Sequence, residues 1–135
     1  MLWRTGVSFI GISKKDITSI KNDSNSLRIF EGFFDFISFK NVEDYLEKQP
    51  SDYIILNSVL MIERIKNELG NYHNIELYFD NDEAGNRAVE IIKNENQNAK
   101  DCWALYSSFK DLNDWLIHEN PSNEIKIYYK SAFKR

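Results

Sequence analysis

Cysteine is nearly absent from this chain. One residue, Cys102, occurs among 135, so neither a disulfide framework nor a cysteine-based zinc site can be built within a single chain. A reducing, cytoplasmic setting is the expectation that follows. Cys102 lies in the apolar run "DCWALY" and reads as a small buried hydrophobe. Histidine is almost as scarce. His73 and His118 fall in a loop and near a helix end and read as surface residues, so no His or Cys cluster competes for a soft metal. A basic surplus is also missing. The formal net charge is −4 and the pI about 5.2, which argues against a general nucleic-acid coat protein. It does not argue against an enzyme that meets nucleic acid through a bound cation, because the ion reverses the local sign. No apolar run approaches the ~18 residues that a membrane span needs, and "MLWR" is not followed by the apolar core of a signal peptide. No membrane partner is expected.

Apolar residues make up 42% of the chain, enough for a folded core and unlike a disordered composition. The length suits one domain. "WRTGVSFIGI" alternates loosely and reads as a strand or hairpin, and "SKKDITSIKNDSNS" as a polar loop. "LRIFEG" reads as a short strand. "FFDFISFKNVEDYLEKQ" has helical spacing at Phe33, Phe36, Ile37, Val42, Tyr45 and Leu46, with a break expected near Asn41 and a stop at Pro50. "DYIILNS" is a strand, and "VLMIERIKNELG" an amphipathic helix stopped by Gly70. "NIELYFD" is a strand, "EAGNRAVEIIKNEN" a helix, "KDCWALY" a further strand, and "KDLNDWLIHEN" a short helix closed by Asn120-Pro121. Strands alternating with helices, apolar throughout at 54–56 and 75–79, predict an α/β domain with a mostly parallel four-stranded sheet flanked by helices, plus the N-terminal strand or hairpin. There is no internal repeat or low-complexity tract. The expected organisation is an N-terminal strand or hairpin with polar loop (1–26), a core (27–118) and a basic aromatic tail (119–135) with Tyr128-Tyr129, Lys126, Lys130, Lys134 and Arg135.

In such a sheet, ligands bind beyond the carboxyl ends of the strands, and acids gather there. Glu31 follows "LRIF", and Asp80 and Asp82 follow "LYF". Lys110, Asp111, Asn113 and Asp114 follow the strand expected at "WALY", just after Ser107-Ser108. One acid at a helix start is ordinary. Three strand ends supplying carboxylates to one edge predict a converging acidic site. All-oxygen donors suit Mg²⁺, which takes one or two carboxylates and keeps waters and substrate phosphates as its other ligands. An ion so placed stabilises phosphoryl transfer, and the separate Glu31 is a candidate general acid or base.

The motifs "FEGFFDFISF", "FDNDEAGNRA" and "KDLNDWL" together resemble the Toprim domain, the catalytic module shared by bacterial-type primases and topoisomerases, and are most similar to its primase branch. The first motif is a glutamate-glycine pair with an aspartate three residues beyond the glycine, here Glu31, Gly32 and Asp35. The second is Asp-x-Asp followed by Ala-Gly, here Asp80, Asp82, Ala84 and Gly85. The third is a Lys-Asp-x-Asp cluster. Here it reads Lys110, Asp111 and then Asn113 in place of the second acid, with Asp114 one place late. The resemblance spans about residues 27 to 117, with a flavour of primase-like proteins from Bacteroides-type bacteria and their mobile elements.

It implies a Toprim (Rossmann-like) fold and a primase-like, Mg²⁺- or Mn²⁺-dependent nucleotidyltransferase making RNA primers on single-stranded DNA. Glu31 would act as general acid/base, Asp80 and Asp82 as metal ligands and Asp111 as a further one. Asp35, Asn113, Lys110, Gly32 and Gly85 would support the site. Arg87, one turn into its helix, is a candidate phosphate contact. Implied partners are single-stranded DNA, ribonucleotides, and a helicase or zinc-binding primase domain. The start at "LWRTGVSFIGI" leaves open a short stand-alone version and an excised C-terminal portion. Three alternatives stay open beside primer synthesis: a Toprim nuclease using the same acids, a non-catalytic domain binding nucleic acid or a partner, and a receiver-type phosphoacceptor, which would leave Glu31-Gly32 unexplained. Asp80/Asp82 as a solvated turn, Asp111 as a helix cap, and Phe33-Phe34 as core or interface residues are the simpler readings.

Overall fold

A computed structural model describes residues 17–43, 49 and 51–119, together with the backbone of 2–5 and 8–12. In chain order its elements are β1 (Leu2–Thr5), β2 (Ser8–Ile12), β3 (Thr18–Lys21), β4 (Ser26–Phe30), α1 (Phe33–Glu43), β5 (Asp52–Ile55), α2 (Ile62–Leu69), β6 (Asn74–Tyr78), α3 (Glu83–Glu95), β7 (Ala99–Asp101) and α4 (Leu112–His118). Short 3₁₀ helices at Val59–Met61 and Trp103–Tyr106 precede α2 and follow β7.

The expected four-stranded parallel core is present, ordered β5-β4-β6-β7. Strands β1, β2 and β3 extend it antiparallel on the β5 side, making seven strands among the described residues. Parallel strands need coverage on both faces, and the buried side chains sort accordingly. Leu27, Ile29, Ile54, Ile75 and Leu77 join Ile62, Ile65 and Leu69 of α2 and Ala88, Val89 and Ile92 of α3 in one cluster. Phe30, Tyr53, Ile55 and Tyr78 join Phe36, Phe39 and Val42 of α1 and Leu112 and Trp115 of α4 in the other. Alternation along β4 and β6 thus sends neighbouring residues to opposite cores.

The second core is aromatic. The Phe30 ring stacks on Tyr78 at 4.9 Å and meets Phe36 at 5.6 Å edge-on. Arg28, on the same face of β4, is buried, and its guanidinium pairs with Glu43 and Glu76 at 3.0 Å each. The Tyr53 hydroxyl donates to Glu43 as well. A buried cation held by two carboxylates fixes the far end of α1 to the sheet, since leaving any of these charges unpaired is costly.

Several local expectations are corrected. The polar loop expected at 13–26 contains strand β3. Thr18 and Ile20 are buried, while Ser19 and Lys21 are only partly so. That short period-2 pattern is hidden among Ser, Lys and Asn. Helix α1 passes through Asn41 without a break, with Phe39 and Val42 buried on either side of it. Residues 44–48 and Pro50 lie outside the described residues, as do Asn120, Pro121 and the tail from 120 onward. The strand expected over "KDCWALY" ends at Asp101. The Cys102 N–H still donates to the Leu77 carbonyl, at 2.9 Å, and the chain then winds into the 3₁₀ helix. Cys102, Leu105 and Tyr106 are buried and Trp103 is exposed, which is helical spacing and not alternation. Cys102 is buried as expected. Among the described residues no helix is long and apolar enough to cross a membrane.

Phe30→Ala removes the ring at the centre of the aromatic core. It should lower the unfolding free energy by about 3–5 kcal/mol, read as a shift in the urea midpoint at unchanged slope.

Candidate active site

The sheet register puts the acids side by side. Phe30 pairs with Tyr78 across β4 and β6, so the next residues, Glu31 and Phe79-Asp80, leave the same edge together. The Glu31 N–H donates to the Tyr78 carbonyl at 3.3 Å, and the Asp80 N–H donates to Glu31 Oε1 at 3.1 Å. The general acid/base candidate is therefore aimed by the backbone of the metal-ligand candidate. Leu56 N–H donates to the Phe30 carbonyl at 2.9 Å, which brings the β5 end to the same edge. There Asn57 takes a φ of 64° and Ser58 caps the first 3₁₀ helix.

Asp82 caps α3. Its Oδ1 accepts the Gly85 N–H at 2.8 Å. Gly85 allows α3 to start so close to the strand end, because a Cβ at that position would lie 2.1 Å from the Asp80 carbonyl oxygen. No side chain fits there. Gly32 is less constrained, since a Cβ would meet Asp35 Oδ2 at 3.2 Å.

Asp111 caps α4, with Oδ1 accepting the Asp114 N–H at 2.8 Å. The capping role and a place among the acids coexist, because a cap uses one carboxylate oxygen. Asp35 is buried in the first turn of α1, and its Oδ1 accepts the Asn113 N–H at 3.0 Å. It thereby joins the starts of α1 and α4. The Asn113 side-chain oxygen is taken up by the Ser38 hydroxyl at 2.9 Å, so Asn113 is a brace between the helices. Asp114 turns instead to His118 on α4, Oδ1 to Nδ1 at 3.5 Å. Lys110 is exposed, and its carbonyl accepts the Asn81 N–H at 2.6 Å. Arg87 is exposed and paired with Glu83 at 2.8 Å on the surface of α3.

Asn81, between the two aspartates, was not singled out from sequence. Its side-chain amide donates to the carbonyls of Tyr106 and Phe109, at 3.0 and 2.7 Å. It ties the loop that leads to Asp111 against the end of β6, helped by the Tyr106 hydroxyl, which donates to the Phe79 carbonyl at 2.8 Å. The available signal was an amide donor lodged between two acids at a strand end. Phe33 and Phe34 are exposed, 48% and 73%, which removes the core half of the core-or-interface reading.

The acids burden one another. Burial, then Glu31, Asp35, Asp111 and Asp82, push the Asp80 carboxyl up to about 7. Burial, then the charges of Asp111 and Glu31, push Asp35 up to about 6, although N–H donors at Asn113 and Gly32 oppose this. Burial raises Glu31 as well, with Asp82 and Asp111 adding to it and the Asp80 N–H working against it. Burial comes first in each case, and the neighbouring carboxylates add to it. Among the described residues no three acidic, His or Cys side chains stand close enough to enclose an ion. A cation at this edge would rest on one or two carboxylates, with water and substrate oxygens for the rest, an arrangement that Mg²⁺ accepts.

A parallel sheet that gathers carboxylates from three loops at its carboxyl edge places them where ligands of such sheets bind. The Toprim-like family model matches residues 28–116, and the chain belongs to that family. Its fold is similar to the primase fragment of the bacteriophage T7 primase-helicase protein. The TM-score is 0.58 and the identity 18%, over 90% of this chain and 55% of that one. It is also similar to a structure of the bacteriophage T7 lagging-strand DNA polymerase with primase domains of two gp4 subunits bound to an RNA/DNA hybrid and dTTP. There the TM-score is 0.62 and the identity 17%, over 95% and 70%. The chain thus spans about half the length of the T7 primase fragment. No curated protein matches the chain in sequence.

Two stability outcomes follow. Gly85→Ala should destabilise by more than about 2 kcal/mol despite alanine's better helix propensity. Gly70→Ala, where nothing lies within 4 Å, should gain about 0.4–1 kcal/mol. Chemical denaturation measures both. For Asp80 the folded value near 7 exceeds the unfolded value of about 4. The stability it allows is complete below that unfolded value and is lost as pH rises toward 7. Asp80→Asn should therefore stabilise the metal-free protein by roughly 1–2 kcal/mol above pH 7, after allowing for solvent screening, and make no difference below pH 4. Thermal melts across that range read the change.

Proposed function

We propose that this chain supplies the catalytic domain of a DNA primase-like protein, joining ribonucleotides into RNA primers on single-stranded DNA with Mg²⁺ or Mn²⁺. The observation that carries the reading is the convergence of Glu31, Asp80, Asp82 and Asp111 at one sheet edge, with the Asp80 N–H aiming the Glu31 carboxylate. Asp80 and Asp82 would hold the metal, with Asp111 near enough to add its charge. When bound, Mg²⁺ supplies the positive charge that offsets the phosphates in the transition state.

Glu31 has Oε1 engaged by the Asp80 N–H, and its carboxylate would take the proton from the attacking 3′-hydroxyl. The hydroxyl oxygen forms a bond to the α-phosphorus as the bond to the outgoing diphosphate breaks. Asp35 and Asn113 act by position, holding α1 and α4 in the register that keeps the acids together. Gly32 and Gly85 leave room for the turns. Lys110, being exposed, is free to meet a substrate phosphate, and Arg87 could do so only by leaving Glu83.

The T7 fragment belongs to a primase-helicase protein, which supports a helicase as the partner class, with a zinc-binding primase domain as a second. The motif flavour supports an origin in a mobile element of Bacteroides-type bacteria.

The test is incubation with Mg²⁺ or Mn²⁺, single-stranded DNA and labelled ribonucleotides. Metal-dependent primers that fall at least about 100-fold in both Glu31→Gln and Asp80→Asn support the proposal. DNA cleavage with the same dependence would instead make the chain a Toprim nuclease. Neither product, together with no metal binding, would sink the catalytic reading.

A further inference from the structure

The first two turns of α1 carry an exposed apolar surface beside the acidic edge. Phe33 and Phe34 are 48% and 73% exposed, and Ile37, one turn on, is 40% exposed. We propose that the Phe33 and Phe34 rings are the platform on which bases of single-stranded DNA stack as the strand meets the site. This rests on the primase-like reading above and adds to it the residues that hold the template.

Three observations carry it. The first is place. Phe33 and Phe34 follow Glu31 by two and three residues, so chain reach keeps their Cα atoms within roughly 7 and 11 Å of the Glu31 Cα. The turn of α1 that bears them is joined to α4 by the contact of Asp35 with the Asn113 N–H at 3.0 Å. The second is anchoring. The Phe33 ring meets Phe36 at 6.2 Å, and Phe36 is buried edge-on against Phe30 and Tyr53, at 5.6 and 5.3 Å. A continuous line of rings thus ties the surface to the aromatic core. Phe34 meets Phe33 at 6.4 Å with 72° between their planes, so the two rings do not stack on each other. The third is charge. The chain carries a net −4, and the acids beside these rings repel phosphates. Stacking on an aromatic ring holds a base without any positive charge. It also uses the face of the base and leaves its Watson–Crick edge free to pair with an incoming nucleotide, as template-directed synthesis requires. A folded protein seated on Phe33 and Phe34 would cover the start of α1 and with it the approach to Glu31. A single strand in the same place is itself the substrate.

The test is fluorescence anisotropy of the full chain in Mg²⁺ with a labelled oligodeoxyadenylate and with an abasic strand of the same length, which has the phosphates without the bases. Wild type should bind the oligodeoxyadenylate more tightly. Phe33→Ala with Phe34→Ala should weaken it at least about tenfold and leave the abasic strand unchanged. The salt dependence should also stay as it is, because no phosphate contact is lost. Phe33→Tyr with Phe34→Tyr, which keeps both rings, should stay within about threefold of wild type. Phe33→Leu with Phe34→Leu, apolar but without a ring, should fall as the alanine pair does. Unaltered oligodeoxyadenylate binding in the alanine pair, or an equal loss on the abasic strand, would overturn the platform. Wild-type binding in the leucine pair would overturn it as well and mark a general apolar seat, of the kind a protein segment uses. No binding of either strand while Mn²⁺ still binds would overturn the platform and leave the cation site standing. Ring-dependent binding with no primers made would overturn primer synthesis and keep the platform.

Discussion

The pairing of Phe30 with Tyr78 across two central parallel strands obliges Glu31 and Asp80 to emerge together, and like charges forced together are the constraint around which the rest is arranged. Nothing in the register lets the chain separate them without slipping a strand. A one-residue slip would move the Phe30 and Tyr78 rings to the opposite face. The aromatic core on the α1/α4 side and the aliphatic core on the α2/α3 side therefore act in opposition to the repulsion at the edge. The acids remain close because separating them would empty both cores.

Holding the edge takes more than the sheet. Asn81 anchors the Asp111 loop, Asp35 joins the starts of α1 and α4, and Gly85 lets α3 begin against the Asp80 carbonyl. The Asn81 contact uses an amide and the Asp35 contact a carboxylate oxygen, so the loops are braced without any charge of opposite sign. That is the geometry of preorganisation, in which donors and charges are placed before substrate arrives. Burial and the neighbouring carboxylates push Asp80 up to about 7 and Asp35 up to about 6. A cation would oppose both shifts.

Much of this was legible in the sequence because the signals were local. Apolar runs at 54–56 and 75–79 marked the central strands, and the Glu-Gly and Asp-x-Asp spacings marked the edge. What escaped were features decided by partners distant in the chain. β3 looked like a loop because its alternation is four residues long and its neighbours are polar; pairing with β2 and β5 makes it a strand. Trp103 was placed in a strand because an apolar run of that length does not declare its period. The burial of Cys102, Leu105 and Tyr106, with the hydroxyl of Tyr106 bound to the Phe79 carbonyl, decides for the 3₁₀ helix. Asn113 looked like a weakened acid and is instead a brace, which depends on Ser38 from another helix.

The crowded carboxylates at the edge are the divalent-cation site proposed above. Calorimetric titration of the protein with Mn²⁺ at pH 7.5 tests it most directly. Saturable binding is predicted, lost in Asp80→Asn and retained in Asp114→Asn, whose carboxylate faces His118 instead. No saturable binding in the unaltered protein, or equal binding in Asp80→Asn, would contradict it.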